Sequence, residues 1–326
     1  MKFLLNIYDV IFNIEGYSKI VQNLKKDFQF FLSEKMLVRN INLRIHFEKP
    51  DTSILLKQMI YSRKDYSVFW SQKKIFVVYD AGLLAVFDYQ KGIADLYSKN
   101  FDLLYEISYL FIQSMIGEYL EKKNLFRIHA AGFSFNKKGF LLVGQSGSGK
   151  SALSLNLLKQ KDFFFLSDDT PLISFDFMLN PFPIRIGVSK KSLESSFFSK
   201  KRIFIRRKWD DKVLFDTSNF KKNIGKTVIL KKIFFLRKTD KNPYISKAGI
   251  ISSFYLLFKH LVLGLGTPQV LEFVLKPELY ENMNKLVIIS KKLFLSFRIL
   301  CSCELSFFYT NKDFSKNISV LKQNLS

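Results

Sequence analysis

Acidic residues, cysteine and unbroken apolar runs are all scarce in this chain, and each shortage excludes something. Asp and Glu total 28 against 51 Lys and Arg across 326 residues, which leaves a formal charge of +23. Only two cysteines occur, Cys301 and Cys303, a single residue apart. That spacing suits neither a zinc knuckle nor a disulfide framework, so a reducing, cytoplasmic setting is expected. The first nine residues begin like a secretion signal, but Asp9 interrupts them and no small-residue cleavage site follows. The most apolar later stretch, residues 254–274, is broken by Lys259, His260, Gly264, Gly266 and Pro268. No segment therefore reads as membrane-spanning, and the chain is expected to be soluble, at most peripheral to a membrane. There is no internal repeat and no low-complexity linker.

Hydrophobic residues are plentiful, at 48%, and 36 of the residues are Phe. The length allows one large domain or two ordinary ones with well-buried cores. The basic excess favours nucleic acid, anionic lipid or an acidic protein as a partner. Lys, Phe, Asn and Ile are all common while Ala is sparse, as an AT-rich coding sequence would produce. Nucleic-acid binding is accordingly not inferred from charge, although Lys200-Lys201-Arg202 and Arg206-Arg207-Lys208 form basic clusters around Ile203-Phe204-Ile205.

Along the chain, residues 1–98 alternate short apolar and polar runs such as Leu43-Arg44-Ile45-His46-Phe47, with turn signals at Lys49-Pro50-Asp51 and Asp80-Ala81-Gly82. This predicts a strand-rich module. Residues 101–123 change period: Leu103, Leu104, Ile107, Leu110, Phe111, Met115 and Tyr119 recur at three- and four-residue steps. An amphipathic helix is expected there, with Asp102, Glu106 and Gln113 outside. From Arg127 the order reads strand, strand, loop, helix, strand. Further strands are expected at 172–175, 184–188, 213–215 and 228–236, a helix over 252–263 and another beyond Pro268. The domain reading is 1–124 and 125–326.

One motif stands out. Residues 144–151, Gly144-Gln145-Ser146-Gly147-Ser148-Gly149-Lys150-Ser151, follow the apolar run Gly139-Phe140-Leu141-Leu142-Val143 and open a helical segment. The pattern G-x-x-x-x-G-K-[ST] lets successive backbone N–H groups turn inward around a phosphate. The three glycines accept positive φ, and the following helix points its N-terminal amides at the same anion. Lys150 would neutralise β- and γ-phosphate charge, and the Ser151 hydroxyl would ligate Mg²⁺. A phosphate of a nucleoside triphosphate is the expected ligand, with ATP and Mg²⁺ as cofactors.

A second apolar strand, Phe163-Phe164-Phe165-Leu166, ends in Ser167-Asp168-Asp169. If the two strands are neighbours, one carboxylate would hold Mg²⁺ and the other would take the proton of an attacking hydroxyl. His129, one of only three histidines, stands just before the strand that leads to the loop and joins the site as a candidate.

Taken together, His129-Ala130-Ala131-Gly132, residues 139–153 and Leu166-Ser167-Asp168-Asp169 resemble the HPr serine kinase/phosphorylase family, and more closely its shorter relatives in bacterial gene clusters. Asn180-Pro181-Phe182-Pro183-Ile184-Arg185 adds a weaker match. The resemblance implies an α/β fold: a phosphoenolpyruvate-carboxykinase-like P-loop kinase core behind the strand-rich module. It implies phosphorylation of a hydroxyl, on a peptide, a protein or a small molecule. Lys150 and Ser151 would handle phosphate and metal, with Asp168 favoured as base, Asp169 as metal ligand and His129 nearby. Arg185 is a further candidate for phosphate or substrate contact, and a homo-oligomer is open. The Pro-Gly-Arg-Asn-type signature of the bifunctional enzymes is missing, the comparable region reading Gly264-Leu265-Gly266-Thr267-Pro268-Gln269. Two other readings compete: a shikimate-kinase-like enzyme, which calls for a parallel sheet, and an ATP-binding regulator without transfer activity.

Overall fold

The computed structural model describes residues 1–34, 41–53, 58–71, 73–145, 147–189, 201–206, 210–274 and 279–326. Two compact units emerge. The first comprises Met1–Leu120, Ile203–Lys212 and Gln269–Asn282; the second comprises Glu121–Arg202, Val213–Pro268 and Met283–Ser326. No single cut in the chain separates them.

Unit 1 is built on a nine-stranded sheet. Its strands are β1 (Lys2–Ile7), β2 (Val10–Gly16), β3 (Leu32–Ser33), β4 (Ile41–His46), β5 (Gln58–Arg63), β6 (Tyr66–Ser71), β7 (Lys74–Tyr79), β8 (Leu83–Asp88) and β9 (Ile93–Ser98). They lie in the order β3-β1-β2-β4-β9-β8-β7-β6-β5. The alternation read from the sequence sets which side faces inward: in β4, Ile41, Leu43 and Ile45 are buried while Arg44 is out. Two helices belong to this region, α1 (Ser18–Asp27) and α2 (Phe101–Lys122). The expected helix is present, but its predicted polar face is not. Glu106 and Gln113 are buried, because α2 is enclosed on nearly all sides and its polar groups find partners inside. Gln113 Nε2 donates to the Tyr109 hydroxyl at 3.4 Å, and the Tyr105 hydroxyl donates to Asp27 at 2.7 Å.

Unit 2 is a sheet between helices. Its strands are β10 (Phe126–Arg127), β11 (Ala130–Phe135), β12 (Lys138–Val143), β13 (Phe163–Ser167), β14 (Leu172–Ile173) and β15 (Met178–Asn180). Three further short strands lie outside the main sheet: β16 (Ile186–Ser189), β17 (Lys201–Phe204) and β18 (Lys212–Phe215). The main sheet is completed by β19 (Val228–Lys238), β20 (Tyr244–Lys247) and β21 (Glu304–Thr310). Its order is β10-β14-β15-β19-β12-β11-β13, with β21 parallel to β19 and β20 antiparallel to β21.

Alternation along these strands builds two cores. Phe140, Leu142, Phe133, Phe165 and Phe234 join α3 (Lys150–Leu157) and α7 (Phe314–Leu325) on one face. Leu141, Val143, Leu166, Ile233 and Phe235 join α4 (Ile250–Leu257) and α6 (Leu279–Ser302) on the other. A short α5 (Leu271–Val274) precedes α6, and a π-helical turn, Phe258–Val262, extends α4. The expected helix over 252–263 is thus α4 plus this turn.

Candidate functional site

Strand direction brings the candidate residues to one edge of the unit 2 sheet. β12 and β13 are not neighbours: β11 lies between them, antiparallel to both. β12 and β13 therefore run the same way and end together, and β11 begins where they end. The register makes this concrete, with Ala130 opposite Val143 and Gly132 opposite Ser167. His129 before β11, Gly144 after β12 and Asp168 after β13 share that edge. β19 runs parallel to β12 and delivers Arg237 and Lys238 to the same place.

The loop has the local geometry its sequence calls for. Gly147 and Gly149 adopt φ of +82° and +87°, and Gly149 caps the start of α3. Gly144 departs from expectation, since it is not among the positive-φ glycines. What it needs is room, because a Cβ there would lie 2.5 Å from Ser148 Oγ. The Ser148 N–H donates to the Gln145 carbonyl at 3.1 Å, tightening the turn. Ser146 lies outside the described residues. The amides of the first turn of α3 open toward the loop, the arrangement that favours a bound anion.

The side chains at the start of α3 are each engaged by a residue that flanks another strand. Lys150 is buried, and its Nζ donates to His129 Nε2 at 2.9 Å and to the Gly144 carbonyl at 3.4 Å. An ammonium has only donors, so Nε2 is the acceptor in this contact. The His129 backbone N–H in turn donates to the His260 carbonyl at 3.1 Å, fixing the ring's origin. Ser151 Oγ donates to Asp168 Oδ2 at 2.9 Å, and Asp168 is buried while Asp169 is half-buried. The geometry thus brings together His129, Lys150, Ser151 and Asp168. Arg185, the weaker candidate, is buried at 6% exposure.

One residue of this site was not singled out from the sequence. His260, in the π-helical turn, stacks on His129 with ring centroids 5.7 Å apart. It is 2% exposed. Burial, and then the charges of Lys150 and Lys259, push its pKa down to about 4. At neutral pH the ring is therefore uncharged and offers one donor and one acceptor. The available signal was its rarity, a histidine inside an otherwise apolar stretch. Gly266 closes the arrangement: its φ is +93°, and a Cβ there would meet His129 Cδ2 at 2.6 Å.

A cavity of about 400 Å³ opens beside the loop, lined by Gly144, Gly147, Ser148, Arg237, Lys238 and His260 among others. No group of three or more His, Cys, Asp or Glu that could hold a metal by itself is found among the described residues. Cys301 and Cys303 are both free thiols. No helix among the described residues is long and apolar enough to cross a membrane. No protein-family model matches the chain, and no curated protein matches it.

Proposed function

We propose that the chain is a nucleoside-triphosphate-dependent phosphotransferase that moves the γ-phosphoryl group to a hydroxyl, as the HPr kinase family it resembles does. One observation carries this reading. The two side chains that follow the glycine loop, Lys150 and Ser151, are met by His129, just before β11, and by Asp168, just after β13, each at 2.9 Å. A turn that merely matched the loop pattern would have no reason to gather an imidazole and a carboxylate there. The mixed strand order also speaks against the shikimate-kinase-like alternative, since antiparallel β11 separates β12 from β13.

The donor set suits Mg²⁺: Ser151 Oγ and Asp168 Oδ2 are hard oxygens 2.9 Å apart, and this ion takes few protein ligands and fills the rest with phosphate oxygens and water. When bound, it would neutralise charge on the β- and γ-phosphates. This exchanges the roles expected for the acidic pair. Asp168 would hold the ion with Ser151, and Asp169 would receive the acceptor's proton. Lys150 would turn from His129 and Gly144 toward phosphate oxygens, while loop amides hold the remaining charge. The acceptor oxygen then forms a bond to the γ-phosphorus and its proton passes to Asp169. The bond from the γ-phosphorus to the bridging oxygen breaks, and the nucleoside diphosphate leaves. The acceptor is the hydroxyl of a peptide, protein or small molecule.

The test is transfer of radiolabelled γ-phosphate by the purified chain to a panel of peptides and metabolites. Asp169→Asn should lower transfer by about 10²- to 10⁴-fold while nucleotide affinity is retained. Asp168→Asn should also weaken the Mg²⁺-dependent part of nucleotide binding. ATP binding with no acceptor labelled would instead identify a nucleotide-occupied regulator, and the transferase reading would fall.

A further inference from the structure

Two helices of unit 2 leave an apolar face uncovered. On α4, Ile250, Ile251 and Tyr255 are 76%, 87% and 62% exposed. On α6, Met283, Leu286, Val287, Phe294 and Phe297 are each more than half exposed. Their spacing of three, four and seven residues forms one stripe. The opposite side of α6, with Lys292, Leu295, Ser296 and Ile299, is buried. So α6 carries two apolar faces, of which the protein covers one. Phe254 stacks on Phe297 with centroids 5.0 Å apart, which joins the α4 and α6 patches into one surface. A patch of this kind on a folded protein marks an interaction surface.

Charge identifies what it meets. Lys259, Lys285, Lys291 and Arg298 lie along these segments, Lys292 being turned inward to Glu121, and Glu281 at the start of α6 is the one acidic residue of residues 250–262 and 279–302. The whole chain carries +23, so a second copy would bring a like-charged surface against this one. An anionic lipid surface satisfies both requirements. It accepts exposed Leu, Ile and Phe side chains at the headgroup boundary, and it attracts basic residues around them. We infer that α4 and α6 form a peripheral docking face for an anionic membrane, with the helices lying in the interface. This inference is independent of the phosphotransfer reading.

The experiment is co-sedimentation of the full chain with two vesicle preparations, phosphatidylcholine alone and phosphatidylcholine with roughly one-third phosphatidylglycerol. Binding should be confined largely to the anionic vesicles and should weaken as salt is raised. Replacing Ile251→Asp and Leu286→Asp together should reduce vesicle partition at least about tenfold. Both side chains are solvent-exposed, so thermal stability and ATP affinity should stay unchanged in the same variant. Two results would overturn the inference. One is equal vesicle binding by the wild-type and the doubly substituted chain. The other is no vesicle binding, with sedimentation velocity showing either a dimer that the substitutions dissociate or a monomer only.

Discussion

At the scale of single residues, the site is a set of mutual constraints. Gly266 is where this is most exposed to test. Ala there would meet both a positive φ and the His129 ring, whose Nε2 holds Lys150. Gly82 supplies the control, since its φ is +86° and a Cβ there would meet nothing within 4 Å. Gly82→Ala should cost about 1 kcal/mol from backbone strain alone. Gly266→Ala should cost about 1–3 kcal/mol in denaturant titration and weaken nucleotide binding as well. His260 makes a second prediction. Its folded pKa of about 4 lies below the ordinary 6.5, so between those values the unfolded chain takes up a proton that the folded one refuses. The stability tied to this ring is present above the ordinary value and falls as pH drops toward 4. His260→Gln should flatten that part of the stability-against-pH curve, measured by denaturant unfolding at a series of pH values.

At the scale of elements, the same reasoning applies to the helices that frame the sheet. α7 begins at Asp313, whose carboxylate accepts from the Lys316 N–H at 3.1 Å. Asp313→Ala should lower stability by about 1 kcal/mol, the ordinary worth of an N-cap. α6 is held by a mostly buried pair, Lys292 Nζ to Glu121 Oε1 at 2.7 Å. Lys292→Ala would leave Glu121 with Arg127 as a remaining cationic neighbour and should cost about 1–3 kcal/mol by the same measurement. How far the sequence disclosed all this depended on whether the signal was local. β12, the loop and β13 were legible because apolar runs end abruptly in glycine or acid. The helix over 101–123 was legible as a helix, yet Glu106 and Gln113 misled, since burial by distant strands leaves no trace in helical period. The meeting of His129, Lys150 and Asp168 depended on β11 lying between β12 and β13, a pairing that spacing alone does not specify. His260 was hidden for the same reason: what makes it notable is the ring it stacks on, some 130 residues earlier in the chain.

At the scale of the whole molecule, the two units are not two consecutive stretches. Within unit 1, Phe204 packs edge-on against Tyr105 at 5.3 Å, Phe273 packs against Phe111 at 5.0 Å, and the Ser114 hydroxyl accepts from the Val270 N–H at 2.9 Å. A fragment of residues 125–326 would carry Phe204 and Phe273 without these partners. It should therefore aggregate or bind a hydrophobic dye where the full chain does not, as size-exclusion chromatography and dye fluorescence would show. The same arrangement governs timing on the ribosome. Residues 1–120 are made before the other two segments of the unit, but their core still awaits Phe204 and Phe273, and the last segment ends at Asn282. At ordinary elongation rates that wait is on the order of ten seconds. Residues 1–120 are thus completed only once Gln269–Asn282 has been made, and the order of folding cannot simply follow the order of synthesis.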